Sequence, residues 1–319
     1  MSKQRLQGTE RQEGARKSSA SGRRVAITVD DLPGEPFLDV ATLRAMTERL
    51  VEALALHGAS AVGFVTGKNV LVREQIDERV RALNAWLDGG HLLGNHTYSH
   101  TSLNESSLAD YQTDVIQGEL LVRFALEPRG ERLRYFRAPH NHIAPTREIK
   151  AALEHFVRTR RQVLTPFTVE HSDYAFDRAF VAAEAAVDAE RAERVRSAYL
   201  SHLDTVFDFF EGLSERIFRR QIAQILLVHA NRLNAVSLDE MLERIEARGY
   251  EFISLSDALE DEAYSMPDHF VGPAGISWFH RWSFSRGYGS RTTTSGLTLP
   301  ETLFEEPDPP QFILDASRS

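Results

Sequence analysis

Four short pieces of this chain put acid–base or metal-ligating side chains directly beside apolar runs. Asp30-Asp31 follows the run Arg24-Val25-Ala26-Ile27-Thr28-Val29. Two adjacent carboxylates are costly to desolvate there unless a metal ion or an arginine compensates their charge; a helix N-cap pair is the alternative. In His96-Thr97-Tyr98-Ser99-His100 the two histidines are four apart. On one face of a helical turn they would be close enough to share an ion. Their neighbours supply no third ligand, which makes Asp31 the natural candidate; two surface histidines are the alternative. Arg137 leaves the run Leu133-Arg134-Tyr135-Phe136 and precedes Ala138-Pro139-His140-Asn141-His142, as a charge set at a rim or as a solvated turn. His229 ends Ile225-Leu226-Leu227-Val228. It reads either as a partly dry imidazole with a tunable pKa or as a satisfied core histidine.

The elements that must position these groups alternate. The strand at 24–29 is followed by a helix over about 40–57, on the stripe Leu43, Met46, Leu50, Leu54 and Leu56. Ala61 to Thr66 reads as the next strand, 73–88 as a helix, and His91 to Gly94 as a short apolar piece leading to Asn95-His96. Helices over 107–126 and 145–155 lead to strands at 133–136 and 162–165. Late strands at 225–228 and 250–253 flank a helix over 237–247. Such βαβ order predicts a parallel sheet with helices outside it. Each unit then delivers its strand's C-terminal end to one rim, where the polar groups above would meet.

The 319 residues are 42% hydrophobic and 26% charged, an ordinary globular composition. The net charge of -9 gives no basic footprint, so no nucleic-acid partner is expected. The absence of cysteine rules out disulfides and zinc-thiolate sites. No apolar run is long enough to span a membrane, and residues 1–23 read as a polar, disordered leader without a signal-peptide core. The expected compartment is the cytoplasm and no membrane partner is expected. Oligomeric state is not legible.

Taken in order, the pieces resemble the polysaccharide deacetylase (NodB-homology) family, carbohydrate esterase family four. Thr28-Val29-Asp30-Asp31-Leu32-Pro33 is similar to its first signature, TFDDGP, and His96 to His100 to its second, H-[ST]-x-x-H. Arg137-Ala138-Pro139-His140 resembles the third, R-x-P-Y. Glu170-His171-Ser172-Asp173-Tyr174 resembles the fourth, D-x-x-D-W, and Ile225-x-Leu227-x-His229 the fifth, L-x-L-x-H. The resemblance runs from 24 to about 260. It implies an α/β fold, a distorted (β/α)7-8 barrel, over 24–262. The helix-rich block at about 176–222 would be an insertion on it, and 263–319 a C-terminal extension packed on the barrel with a loop-like end.

The resemblance also implies roles. Asp31, His96 and His100 would hold one divalent metal ion, zinc by family habit, and Asp30 would be the general base. Arg137 would orient Asp30; His229 would be the general acid, its pKa raised by Asp173. The substrate would be an N-acetylated amino-sugar glycan or a small molecule, with His140 and Tyr174 as substrate contacts. The alternatives are another C–N bond, as in a formamido sugar or cyclic ureide, and a non-catalytic glycan-binding barrel. Leu32 in place of the family's glycine is expected to narrow the space beside the aspartates. Tyr174 in place of tryptophan is expected to reshape the acyl pocket. The aromatic-rich stretches Pro267-Asp268-His269-Phe270-Val271-Gly272-Pro273 and Trp278-Phe279-His280-Arg281-Trp282 read as a C-terminal segment packed on the barrel as core, with sugar binding as the alternative.

Overall fold

The computed structural model describes residues 22–316; residues 1–21 of the expected leader and Ser317 of the tail lie outside them. In chain order the elements are β1 (Arg23–Leu32), α1 (Val40–Leu56), β2 (Ala61–Val65), α2 (Gly67–Val70), α3 (Ile76–Asp88), β3 (Leu92–Asn95), α4 (Leu108–Leu126) and β4 (Tyr135–Phe136). Then come α5 (Arg147–Thr159), β5 (Val163–Leu164), α6 (Asp173–Ala185), α7 (Ala189–Phe218), β6 (Gln224–His229), α8 (Arg232–Ala247) and β7 (Tyr250–Phe252). The last are α9 (Leu255–Leu259), α10 (Trp278–Ser285), β8 (Ser290–Thr292), β9 (Thr298–Pro300) and α11 (Gln311–Ala316). No described helix is long and apolar enough to cross a membrane.

The sheet is parallel, in the order β5-β4-β3-β2-β1-β6, with β7 beside the start of β1. One broken stretch closes it. Val163 N donates to the Arg134 carbonyl just before β4 and Thr165 N to that of Phe136, and a few residues on Val169 bridges to Leu226 of β6. The result is a distorted (β/α) barrel, as the βαβ order requires.

The period-two rule explains how β1 divides its side chains. Val25, Ile27 and Val29 face the helix-packed core with Leu43 and Leu50 of α1 and Leu238 of α8. Ala26 lies in the inner cluster with Phe64 and Ile225, and α9 packs against it through Leu255 and Ala258. Thr28 and Asp30, next on the same inner face, lead up to the rim.

Three local expectations are corrected. β1 does not stop at Val29: it runs through both aspartates to Leu32, with a register shift against β2 between Val29 and Leu32. α8 starts at Arg232, five residues early, because the Asn231 side chain accepts from Asn234 N and nucleates the first turn. The tail after 286 is not structureless, since β8 and β9 form an antiparallel hairpin and Ile313 of α11 is fully buried. Of the aromatic segment, Phe279 and Trp282 are buried in the core that also holds Val25 and Ile27.

Candidate metal and acid–base site

β1 delivers Asp30 and Asp31 by different means. Asp30 faces inward by simple alternation and pairs in register with His229 of the adjacent β6. Strict alternation would send Asp31 into the helix layer; instead its φ of 66° at the bulge turns it to the rim. Leu32 then returns to the core. It is 4% exposed and fills the space left by Gly63, where a Cβ would lie 2.0 Å from its Cδ1. The expected narrowing of the groove by Leu32 is therefore overturned: its side chain is on the other side of the strand.

The histidine pair also differs from expectation. Residues 96–100 form a loop with left-handed backbone at Thr97 (φ 65°) and His100 (φ 59°), not a helical turn. Short side-chain bonds hold this shape. Asn95 Oδ1 accepts from Thr97 N (3.0 Å), Thr97 Oγ1 from His100 N (3.1 Å), and the Asp114 carboxylate from Ser99 N (3.1 Å). Gly118 of α4 lets the helix press under the loop, since a Cβ there would meet the Thr97 carbonyl carbon at 2.4 Å. The two rings end 4.9 Å apart.

Asp31, His96 and His100 each offer a ligand atom within 4.8 Å of the others. His100 Nε2 is 3.3 Å and His96 Nε2 3.8 Å from Asp31 Oδ1. Donors about 2.1 Å from one zinc-like ion stand about 3.4 Å apart in a tetrahedral set, so the spacing fits. His96 Nδ1 lies 2.8 Å from the Arg137 carbonyl oxygen, which can only accept, so Nδ1 carries a proton. That fixes the ring with Nε2 toward Asp30 and Asp31, each 3.8 Å away. Burial pushes the His100 imidazole down to about 3 against the pull of Asp31, leaving the neutral form that ligates. Burial would raise the Asp31 carboxyl, but His100, His96 and His229 together with the Thr66 hydroxyl hold it below the usual range.

Arg137 is fully buried inside the barrel. One Nη1 donates to Asp30 Oδ1 (2.9 Å) and Thr28 Oγ1 (2.8 Å), Nη2 donates to the Pro166 carbonyl (2.9 Å), and the guanidinium lies 4.5 Å over the Phe64 ring. This ties one oxygen of Asp30 and leaves Oδ2 facing His96, 3.8 Å from its Nε2.

On β6, His229 Nδ1 donates to Asp173 Oδ1 (2.7 Å). Asp173 opens α6, where the helix dipole favours a carboxylate. Its Oδ2 accepts from His229 N, Asn231 Nδ2 and Asn234 Nδ2. Burial alone would depress the His229 imidazole, yet Asp173, with Asp31 and Asp30 behind it, carries it up to about 10. Burial likewise opposes ionisation of Asp173, and His229 overrides it, holding the carboxyl at about 2.

Asp30, Asp31, His96, His100 and His229 line one cavity of about 740 Å³, with Nε2 of His229 the ring nitrogen left free. His140 and Tyr174 line it too. Tyr174 is 52% exposed and stands edge-on to His229 with centroids 6.4 Å apart. Of the helical block, the cavity takes Asp177 and Arg178 from the start of α6 and nothing from α7.

Sequence reading missed several lining groups. Glu35 and Phe37 sit on the β1–α1 loop, which the buried Arg79 of α3 holds by donating to the Gly34, Glu35 and Leu38 carbonyls. A single arginine in a helical stripe carries no sign of that job. Burial, with Glu306 and Asp173 nearby, lifts the Glu170 carboxyl to about 8, and burial lifts Asp177 to about 6. Gly275 enters from the C-terminal extension, beyond every recognisable signature.

Residues 17–155 match the polysaccharide deacetylase family. Over 120 residues the chain is 30% identical to peptidoglycan-N-acetylglucosamine deacetylase of Bacillus cereus, covering 37% of this chain and 37% of that protein. Over 124 residues it is 27% identical to chitooligosaccharide deacetylase of Sinorhizobium fredii, covering 39% of this chain and 50% of that one. The chain thus spans half or less of the curated relatives it matches. Among solved structures, a CE4 family pseudoenzyme from Bacillus anthracis superposes with a TM-score of 0.52 at 16% identity, over 75% of this chain and 66% of that one. A mutant described as having restored enzymatic activity gives the same TM-score at 17% identity, over 75% and 68%. At these identities the likeness is one of fold.

Proposed function

We propose that the chain, part of which matches the polysaccharide deacetylase family, is a metal-dependent hydrolase that removes N-acetyl groups from an amino-sugar glycan or oligosaccharide. The observation that carries the reading is the convergence of Asp31, His96 and His100, each offering a ligand atom within 4.8 Å of the others, a donor set suited to one divalent ion such as zinc. Bound there, such an ion would supply Lewis acidity for an amide carbonyl and acidify water. Asp31, His96 and His100 would hold it.

Asp30 takes the proton from water through Oδ2, while Arg137 fixes Oδ1 and keeps the carboxylate oriented. His229, protonated through its pairing with Asp173, donates from Nε2 to the leaving nitrogen. The base and the acid stand on adjacent strands in direct register, on one side of the same cavity. His140 and Tyr174 contact the sugar or its acyl group. A glycan-binding barrel without catalysis needs neither the Asp30–Arg137 pair, buried on both sides, nor the His229–Asp173 pair, whose carboxylate is buried.

Acetate release from N-acetylated chito-oligosaccharides by the zinc-reconstituted protein tests this. Asp30→Asn should retain the metal and lose at least about 10²-fold in kcat. Formate release from formamido sugars without acetate release would move the proposal to the other C–N bond. Release of neither product, or an Asp30→Asn enzyme at full rate, would sink it.

A further inference from the structure

One wall of the cavity depends on a segment that joins it from far along the chain. His140 and Asn141 adopt consecutive left-handed conformations, φ 55° and 53°, and both line the cavity. Neither is glycine, so the turn needs support from outside itself. That support comes from 268–278. Gly275 lies so close that a Cβ on it would be 1.7 Å from the His140 carbonyl oxygen and 2.9 Å from its carbon. On one side Gly272 N donates to the Ala144 carbonyl (2.7 Å), and Asn104 Nδ2 donates to that of Pro273 (2.8 Å). On the other, Ser277 Oγ donates to the Thr168 carbonyl (2.7 Å) and Trp278 N to that of Phe167 (3.0 Å).

Both ends of the segment are anchored. Lys150 of α5, the helix that follows the turn, is buried and donates to Asp268 Oδ2 (2.7 Å), the Asp268 carbonyl (2.6 Å) and the Phe270 carbonyl (3.1 Å). Arg281, fully buried, donates to the same Asp268 carboxylate (2.9 Å) and lies 5.0 Å over both the Phe270 and Trp278 rings. Burying two cations on one carboxylate is expensive unless position matters. The His140 ring stands 4.7 Å from the His100 ring, so the turn forms the wall beside that histidine.

We propose that residues 268–278 form a strap that fixes the His140–Asn141 turn, with Gly275 as the positioning residue that sets the shape of this wall. The kinetic consequence rests on the hydrolytic reading above; the structural consequence does not. Hydrogen exchange of the full-length protein separates them. In Gly275→Ala, exchange across 138–144 should rise at least about tenfold while peptides of β1, β2 and β6 keep their protection. Asn104→Ala should move the same peptides less. Lys150→Met should loosen them and Lys150→Arg restore them. With zinc-loaded enzyme and acetylated chito-oligosaccharide, Gly275→Ala should raise KM about tenfold, with unchanged metal content and kcat within about threefold. If Gly275→Ala does not fold, the Asn104 and Lys150 variants decide. Exchange across 138–144 that stays unchanged, or rises no more than in the sheet, overturns the strap. A wild-type protein that shows the exchange pattern but releases no acetate overturns the hydrolytic reading and leaves the strap standing.

Discussion

Asp30 and Asp31 are chemical twins in sequence and differ only in what each touches. Asp31 is surrounded by two imidazoles and the Thr66 hydroxyl, which suits a ligand; Asp30 is held by a guanidinium through one oxygen, which suits a base. The pairing of His229 with Asp173 works on the same logic. Burial depresses an imidazole and a carboxylate partner raises it, so the pair stays ionised over a wide range. For His229, raised to about 10, the pair's contribution is complete below the ordinary imidazole value of about 6.5 and is lost as pH rises through about 10. For Asp173, held at about 2, it is lost as pH falls through that value. Asp173→Asn removes the raising partner and leaves the burial. The alkaline limb of kcat against pH should then move to lower pH, with about a 10²-fold loss at pH 8 as the acid is deprotonated. An alkaline limb that stays where the wild type has it would show that His229 is not the acid.

At the scale of elements, the places where strands reach the rim were legible because apolar runs give way to charged or imidazole side chains, as at Val29-Asp30 and Val228-His229, although β1 itself runs on to Leu32. The backbone that aims those side chains was not. A positive φ at Asp31, Thr97 or His100 has no signature when the residue is not glycine, so the histidine spacing read as helical although loop bonds create the convergence. Helix pairing brings its own electrostatics. His57, at the C-terminus of α1, bridges Glu246 and Asp239 of α8 through its two ring nitrogens (2.8 and 3.0 Å). Burial works against its charge, but the two carboxylates raise it above the ordinary value. This clamp therefore stabilises fully below about pH 6.5 and fades as pH rises through the raised pKa. Asp239 and Glu246 are 69% and 45% exposed, so screening limits the effect to about 1 kcal/mol or less. Urea unfolding of His57→Gln should show a deficit against wild type at pH 6 that closes by pH 9. A deficit constant over that range would mean the charge contributes nothing.

Across the whole molecule, the parallel order and the shared rim followed from alternating strands and helices. The contribution of the C-terminal segment did not. Its aromatic residues read as core, which Phe279 and Trp282 are, but no pattern in Gly272-Pro273-Ala274-Gly275 tells that Gly275 joins a cavity whose other walls come from β1, the loop after β3 and β6. What the fold accomplishes is to bring the end of β1 and the loop after β3 to one mouth, so that residues 65 and more apart in sequence face one point. The most direct test is the metal content of the purified, zinc-reconstituted protein after dialysis, beside His96→Ala and Asp31→Ala variants that keep the wild-type far-UV circular dichroism. The arrangement predicts one divalent ion per chain in the wild type and its loss in both variants. A wild type that holds no ion, or variants that hold it as tightly, would contradict it.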